Sequence, residues 1–426
     1  MVKRQNLLSF LKEKKYVLLV FALALVFVII ESKSKGDFRI FLNASDDLLK
    51  GENIYQNKYA LYYHYFYDIF FALIISPLRL LPIYWATFIW LLCNIFFTYR
   101  IWILIKNFLP LEKLNSKQIW LFGFCSFAGI FTLWHKNMHL TQMTIFILFL
   151  CLEGIYRIEK KQFLVGSMLI GIGITIKILP IVLIPYLLYR GYFKSVLYVL
   201  LSIVVLLILP SLFIGLDHNV FLLKERWSLI NPLKTEHLLD TEERSFHSLT
   251  TLLSVLLVEN ATTDVRILKL KRNIMDISLE SLKWVITIAR LIIVGLALLF
   301  INRLPFKKEQ SKLQVLYELS YIFIAIPLIF PHQQHYAFFF IFPALSYLVF
   351  YYLLRFKDVK NPISNWKKGM LIAFFVLLYF VINADFILGA YQNFYDHYKT
   401  LTYGILLFIP LLAFSRPKNI SLMGVR

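Results

Sequence analysis

Charge is scarce in this chain. Only 16% of its 426 residues are charged, while 59% are hydrophobic and 17% aromatic. A water-soluble domain is about 45–50% apolar, so this balance excludes one. Cysteine is scarcer still: there are three, Cys93, Cys125 and Cys151, and each falls inside an apolar run. A thiol there behaves as a small core residue, and neither a disulfide framework nor a metal-ligand spacing is present. The chain also lacks a glycine-rich nucleotide loop or Walker pattern. That argues against a nucleotide-sugar donor and against an ATP-driven pump.

What the chain has is apolar runs of roughly 15–25 residues, long enough to cross a hydrocarbon core of about 30 Å as helices. Only helices or closed barrels satisfy the backbone in lipid. Barrel strands would alternate polar and apolar residues over about 10 positions, and 16–30 and 195–214 show no alternation. The expected fold is an all-α polytopic membrane protein, one integral-membrane domain over residues 1–426. The net charge of +20 is then read as lysine and arginine marking the cytoplasmic side, and no nucleic-acid partner is expected. The first run follows Lys12, Lys14 and Lys15 as in a signal peptide. No small-residue cleavage site follows it, so it is read as an uncleaved span.

About twelve spans are expected, at 16–31, 83–105, 119–134, 143–156, 163–176, 178–189, 195–214, 284–301, 314–331, 336–354, 370–390 and 400–415. The pieces assigned to the cytoplasm are 1–15, 106–118, 157–162, 190–194, 303–312, 355–369 and 416–426. They hold about 25 lysines and arginines in roughly 75 residues, against about 17 in roughly 120 residues outside. Both termini are therefore expected in the cytoplasm, with Lys177 at a turn between two short spans. Two external loops follow, about 32–82 and 215–283. In the first, the apolar piece 69–81 carries Arg79 and is broken by Pro77. It is too short to span and is expected at the outer interface. In the second, 249–258 reads as a surface or re-entrant helix. Both loops are large enough to roof a cavity between helices and too small for a separate enzyme domain.

Asp37 stands just beyond the first span. A sugar hydroxyl is a poor nucleophile at neutral pH, and a carboxylate that takes its proton speeds attack by roughly 10²–10⁴-fold. After Asp37 come Phe38, Phe41, Ala44, Leu48, Leu49, Gly51, Ile54 and Tyr55, then Tyr65-Phe66-Tyr67-Asp68-Ile69, Phe71-Ala72-Leu73, Pro77-Leu78 and Leu81-Pro82. This pattern resembles the first external loop of the polyprenyl-phosphate-dependent hexosyltransferases of glycosyltransferase family 87. That family includes bacterial α-1,2-mannosyltransferases and has the multi-helix glycosyltransferase-C fold. The resemblance implies that Asp37 is the general base. Tyr65 and Tyr67 match its Tyr-x-Tyr element, and Asp68-Ile69 replace two prolines. Tyr65, Tyr67 and Asp68 are expected to bind substrate.

The resemblance continues downstream. Gly171, Lys177 and Ile184-Pro185-Tyr186-Leu187-Leu188 match a small-residue helix, a lysine near a proline and a following apolar helix. The proline comes three residues after Lys177, at Pro180, instead of directly after it. A lysine between apolar runs either snorkels to the interface or is functional, and here it is expected to bind the donor phosphate. Asn137 and Gln142 match an Asn and a Gly-Gln, with Thr141 in place of the glycine. Amides both donate and accept, which suits sugar hydroxyls. His135 and His139 lie four apart without an accompanying acid, and no metal is expected. In Pro331-His332-Gln333-Gln334-His335-Tyr336, His335 fits the family's late-helix histidine and His332 is the alternative. A protonated ring would bind phosphate, and a neutral one would orient a hydroxyl. Arg79 is a further phosphate candidate. Phe246-His247-Ser248-Leu249 aligns with a family Asn-Gln-Ser-Leu, making His247 and Ser248 candidate substrate contacts. Asp385 either lines the cavity or pairs with a neighbouring helix.

The resemblance therefore implies a glycosyltransferase-C-like bundle of about twelve transmembrane helices in the bacterial cytoplasmic membrane. It would transfer a hexose, usually mannose in the family, from a polyprenyl-phosphate donor to a lipid or glycan acceptor on the extracytoplasmic face. Transfer would be inverting and would need no cofactor. Two other classes also have many spans. A lipid or sugar transporter or flippase often shows two related halves, which are not visible here. A ligase taking whole glycans from lipid diphosphates would use an arginine-rich loop, and Arg226, Arg244, Arg266 and Arg272 in 215–283 keep that reading open.

Overall fold

The computed structural model describes residues 22–422, apart from 35, 60–62, 232–237, 240–245, 260, 262–267, 269, 302 and 310. The expected start of the first span (16–21), both chain ends, Arg244 and Arg266 lie outside the described residues. Among the described residues there is no β-strand, only isolated bridges between Tyr59 and Tyr63 and between Phe246 and Gln334.

Among the described residues six helices are long and apolar enough to cross a bilayer: Ile83–Phe108, Phe193–Ile214, Leu279–Ile301, Lys312–Ile329, His335–Arg355 and Asn365–Ile387. Two bent pairs bring the number to as many as eight. Phe131–His139 meets Thr144–Glu159 at 116°, and Gly389–His397 meets Thr400–Phe414 at 68°. Ala22–Glu31, Ile69–Leu80, Phe163–Ile176 and Leu179–Tyr189 are apolar but shorter, and a single crossing needs about 20 residues. The chain is an all-helical, polytopic integral membrane protein. Lys312–Ile329 and His335–Arg355 are buried along most of their length and form its centre. Phe193–Ile214, Leu279–Ile301 and Asn365–Ile387 turn most of their apolar side chains outward, as surfaces in contact with lipid tails do.

The expected spans 163–176 and 178–189 are thus among the shorter helices, and two further segments differ from the sequence reading. The run 119–134 is two helices, Ser116–Ala128 and Phe131–His139. At the break, the Gly129 backbone lies against Leu345 and Tyr379, where a Cβ would clash. Backbone groups in lipid must be paired, and Asn383 pairs those at the break. Its Oδ1 accepts from the Thr132 N–H at 2.9 Å and its Nδ2 donates to the Ala128 carbonyl at 3.2 Å. Second, the loop after 214 begins with a helix, Leu216–Ile230. Asp217, His218, Asn219, Lys224, Glu225 and Arg226 hide it from a hydropathy reading. It packs on Ile69–Ile75.

Phe163–Ile176 and Leu179–Tyr189 form a broken hairpin with Lys177 at its apex. Lys177 is extended (φ −145°, ψ 126°), and Pro180 opens the tight turn Leu179–Val182. The two feet of the hairpin meet at the other end. The Tyr192 hydroxyl donates to Glu159 at 2.5 Å, the Tyr189 hydroxyl to the Arg303 carbonyl at 2.8 Å, and the Phe306 N–H to the Tyr189 carbonyl at 2.6 Å. The basic pieces 157–162, 190–194 and 303–309 thus gather at one end and Lys177 lies at the opposite end. Fourteen helical residues rise about 21 Å, so Lys177 stops short of a full bilayer thickness.

Candidate active site

Asp37 is fixed by the turn that joins the bent pair. Its N–H donates to the Leu140 carbonyl at 3.0 Å, and the Phe38 N–H donates to Thr141 Oγ1 at 2.9 Å. Gly36 (φ +42°) makes this approach possible: a Cβ there would lie 2.6 Å from Thr141 Oγ1 and 2.7 Å from the Leu140 carbonyl carbon. Asp37 is the N-cap residue of Phe38–Leu49, yet its side chain makes no capping bond. The carboxylate instead accepts from the Gln142 side-chain amide. Gln142 Oε1 accepts from the Tyr67 hydroxyl at 3.3 Å, which sets the amide with its NH₂ toward Asp37. Burial, and then the charge of Asp37, push the Tyr67 phenol well above its ordinary range. It therefore stays protonated and keeps donating.

The other face of this group carries Lys177. Its Nζ lies 5.8 Å from the centre of the Tyr67 ring and 5.9 Å from that of Tyr336, both within cation–π range. Asp37 is near enough to act on it electrostatically. Among the described residues the ammonium has no ion pair. Asn137 supports the group from behind: its Nδ2 donates to the Leu133 and Tyr336 carbonyls, both at 2.8 Å, and its own carbonyl accepts from the Gln142 N–H at 2.8 Å. Asn137 is fully buried and orders backbone.

Asp68, Tyr65 and Ser248 also carry structure. Asp68 caps Ile69–Ile75, accepting from the Phe70 N–H at 2.8 Å, and pairs with Arg226. Burial raises the Asp68 carboxyl pKa and Arg226 opposes the rise. Arg226 also donates to the Thr175 carbonyl at 3.1 Å, two residues before Lys177. The Tyr65 hydroxyl donates to the Asp68 carbonyl at 2.8 Å. The Ser248 hydroxyl accepts from the Thr251 N–H at 3.2 Å and caps Leu249–Leu257.

Residues 333–336 lead to a second polar cluster. The His247 N–H donates to the Gln333 carbonyl at 2.8 Å. His247 Nε2 and His335 Nε2 each lie 3.3 Å from Asp396 Oδ1, and their rings meet edge to face with centroids 4.2 Å apart. Burial, and then His335, hold the His247 pKa well below the ordinary imidazole value, so its ring is neutral at pH 7. His332 (φ +56°) lies against the Phe246 ring, centroids 4.8 Å apart.

Arg79 is held elsewhere. It donates to Asp46 at 2.8 Å near the far end of Phe38–Leu49 from Asp37. Lys50, and to a lesser degree Arg79, pull the Asp46 carboxyl below its usual range. Asp385 pairs with Lys136. His135 and His139 both reach Glu31, at 3.5 and 2.8 Å. The structure thus brings together Asp37, Gln142, Tyr67 and Lys177, with Asn137 behind them, and sets His335 and His247 around Asp396. The sequence reading did not single out Tyr336 or Asp396, nor Arg226 as the partner of Asp68. Tyr336 follows directly on the histidine motif and was within reach of it. Asp396, in a polar stretch between apolar runs, gave no signal.

A family model for glycosyltransferase family 87 matches residues 65–331, more than half of the chain. The matched stretch includes Tyr67, Asn137, Gln142, Lys177 and His247, while Asp37, His335 and Asp396 lie outside it. No curated protein matches the chain.

Proposed function

The chain belongs to glycosyltransferase family 87 and is a membrane glycosyltransferase, and we propose that its donor is a hexose, mannose by the resemblance, carried on polyprenyl phosphate. Asp37 accepts the proton of an acceptor hydroxyl as its oxygen attacks the anomeric carbon. The bond from that carbon to the phosphate oxygen breaks, and polyprenyl phosphate leaves with the electron pair. A single displacement of this kind inverts the anomeric carbon. The leaving group is already good, so one base and one cation suffice. The observation that carries this reading is that Tyr67 joins the two. Its hydroxyl holds the amide that holds Asp37, and its ring carries Lys177, whose ammonium has no ion pair among the described residues. A lysine in that position would bind the phosphate. His335 and His247 adjoin the site through the 333–336 segment and would line its sugar or phosphate side. The acceptor is a lipid or glycan. The reaction face is extracytoplasmic, because the basic segments gather at the end opposite Lys177 and lysine- and arginine-rich loops face the cytoplasm.

The test uses purified protein in lipid, a radiolabelled polyprenyl-phosphate mannose and a membrane-extract acceptor pool. Wild type should transfer label, and a folded Asp37→Asn should lose roughly 10²–10⁴-fold in rate. Equal transfer by both would remove Asp37 from the mechanism. Transfer from other polyprenyl-phosphate hexoses alone would replace mannose.

A further inference from the structure

The displacement described above needs one base and one cation, and it asks no chemical step of the second polar cluster. Its three members come from separate parts of the chain: His247 ahead of Leu249–Leu257, His335 at the start of His335–Arg355, and Asp396 in the short helix Gln392–His397. Each offers one ligand atom, and the three atoms lie within 4.8 Å of one another. Both imidazole Nε2 atoms face the same oxygen, Asp396 Oδ1, at 3.3 Å. An ion with tetrahedral bonds of about 2.0–2.2 Å keeps its ligand atoms about 3.3–3.6 Å apart, which matches these two separations. All three side chains are buried, none more than 3% exposed. A hydrogen bond between His247 Nε2 and Asp396 at 3.3 Å accounts for only part of the arrangement. His335 Nε2 lies 3.3 Å from the same oxygen, out of line for a well-formed hydrogen bond, and is buried. A buried polar atom of that kind is costly unless something else satisfies it. The neighbouring cation Lys136 is already paired with Asp385.

We propose that His247, His335 and Asp396 bind a divalent transition metal of the zinc class. Two imidazole nitrogens and one carboxylate oxygen suit zinc, manganese or iron better than magnesium or calcium, which prefer oxygen alone. Three protein ligands leave one position open, as catalytic zinc sites do. That open position would take an oxygen of the donor phosphate. This last step rests on the proposed reaction, whereas metal binding does not. Sequence spacing gave no hint of the site, because the ligands come from three distant segments.

The test reads metal without sugar donor. Full-length protein in lipid is stripped with EDTA and titrated with zinc or cobalt, with bound metal counted by mass spectrometry. Wild type should hold about one ion per chain, and His247→Gln and Asp396→Asn should bind at least about ten-fold more weakly. His139→Gln, on the Glu31 cluster, should bind as wild type does. X-ray absorption on wild type reports the ligands directly and should show two imidazole nitrogens, a result that needs no variant to fold. No bound metal in excess zinc, or an absorption spectrum without imidazole, overturns the site. Because donor and acceptor are absent, that failure leaves the transfer reaction standing, and failure of the transfer reaction leaves the metal site standing.

Discussion

Gln142 donates its side-chain amide to the Asp37 carboxylate across 105 residues of sequence. The bond joins the turn of the bent helix pair to the first loop, and the Tyr67 hydroxyl sets its polarity. Gln142 is almost fully buried, so its amide is a neutral donor placed where a charge would disturb the proposed base.

Replacing that amide by an acid tests the placement. In Gln142→Glu two carboxylates share one site, and like charges raise the pKa of one of them. The base then stays protonated to higher pH. Transfer should fall by roughly 10²-fold at pH 6.5 and recover in part as pH rises toward 9. Gln142→Ala should lose about ten-fold at every pH, because orientation is lost but no charge is added. A flat pH profile for Gln142→Glu would separate Gln142 from the base.

Lys177 should act on the donor and not on the acceptor. Lys177→Met removes the charge and is expected to lower kcat/KM for the polyprenyl-phosphate donor by roughly 10²-fold, with the acceptor KM nearly unchanged. Lys177→Arg keeps the charge but spreads it over a planar fork, and should retain part of the rate. Initial rates at varied donor and acceptor concentrations distinguish the two. An effect confined to acceptor KM would move the phosphate site elsewhere.

The core of the candidate site was legible as a group of residues because its members carry local signals. Asp37, Tyr67, Gln142 and Lys177 are polar residues interrupting apolar sequence, each in a family-like pattern, and the fold places them together. Pairings between distant segments were not legible. Nothing in a linear reading joins Asp68 to Arg226 or His335 to Asp396, since each pair depends on how loops fold over the helices. Arg79 shows the converse. Its charge and loop position suggested phosphate, but Asp46 holds it. Hydropathy found nearly every apolar helix yet treated the Gly129 break as continuous, because the side chain that pairs the broken backbone, Asn383 on another helix, is invisible locally. Hydropathy likewise passed over Leu216–Ile230, whose polar residues mask its helical face.

Arg226 should matter to stability before it matters to chemistry. Arg226→Met leaves the Asp68 carboxylate buried without its partner, and breaking such a pair costs about 3–5 kcal/mol. Asp68→Asn/Arg226→Met removes both charges and should recover much of the loss. Thermal unfolding of the purified proteins in detergent measures this. If the single Arg226 variant melts with wild type, the ion pair is not a structural tie.

Thr141 occupies a backbone conformation that glycine prefers. Its φ of +53° lies in the left-handed region, which costs a residue with a Cβ about 1–2 kcal/mol. The family-like pattern has glycine at this position, so the hydroxyl must return something. It accepts from the Phe38 N–H at 2.9 Å and thereby holds the start of the helix that follows Asp37. Thr141→Ala keeps the strain and loses the bond, and should be the least stable variant. Thr141→Gly loses the bond but relieves the strain, and should melt above Thr141→Ala by the equivalent of about 1–2 kcal/mol. In both, Asp37 loses one of its two backbone anchors, so transfer should drop by roughly ten-fold even where stability is recovered. Gly36→Ala is the severe form of the same test. Its Cβ would meet Thr141 and the Leu140 carbonyl, pushing Asp37 off its turn, and transfer should fall nearly as far as in Asp37→Asn. Circular dichroism would check the fold alongside the transfer assay. Wild-type rates in Gly36→Ala would mean that Asp37 does not need this turn, and the base would have to be sought elsewhere.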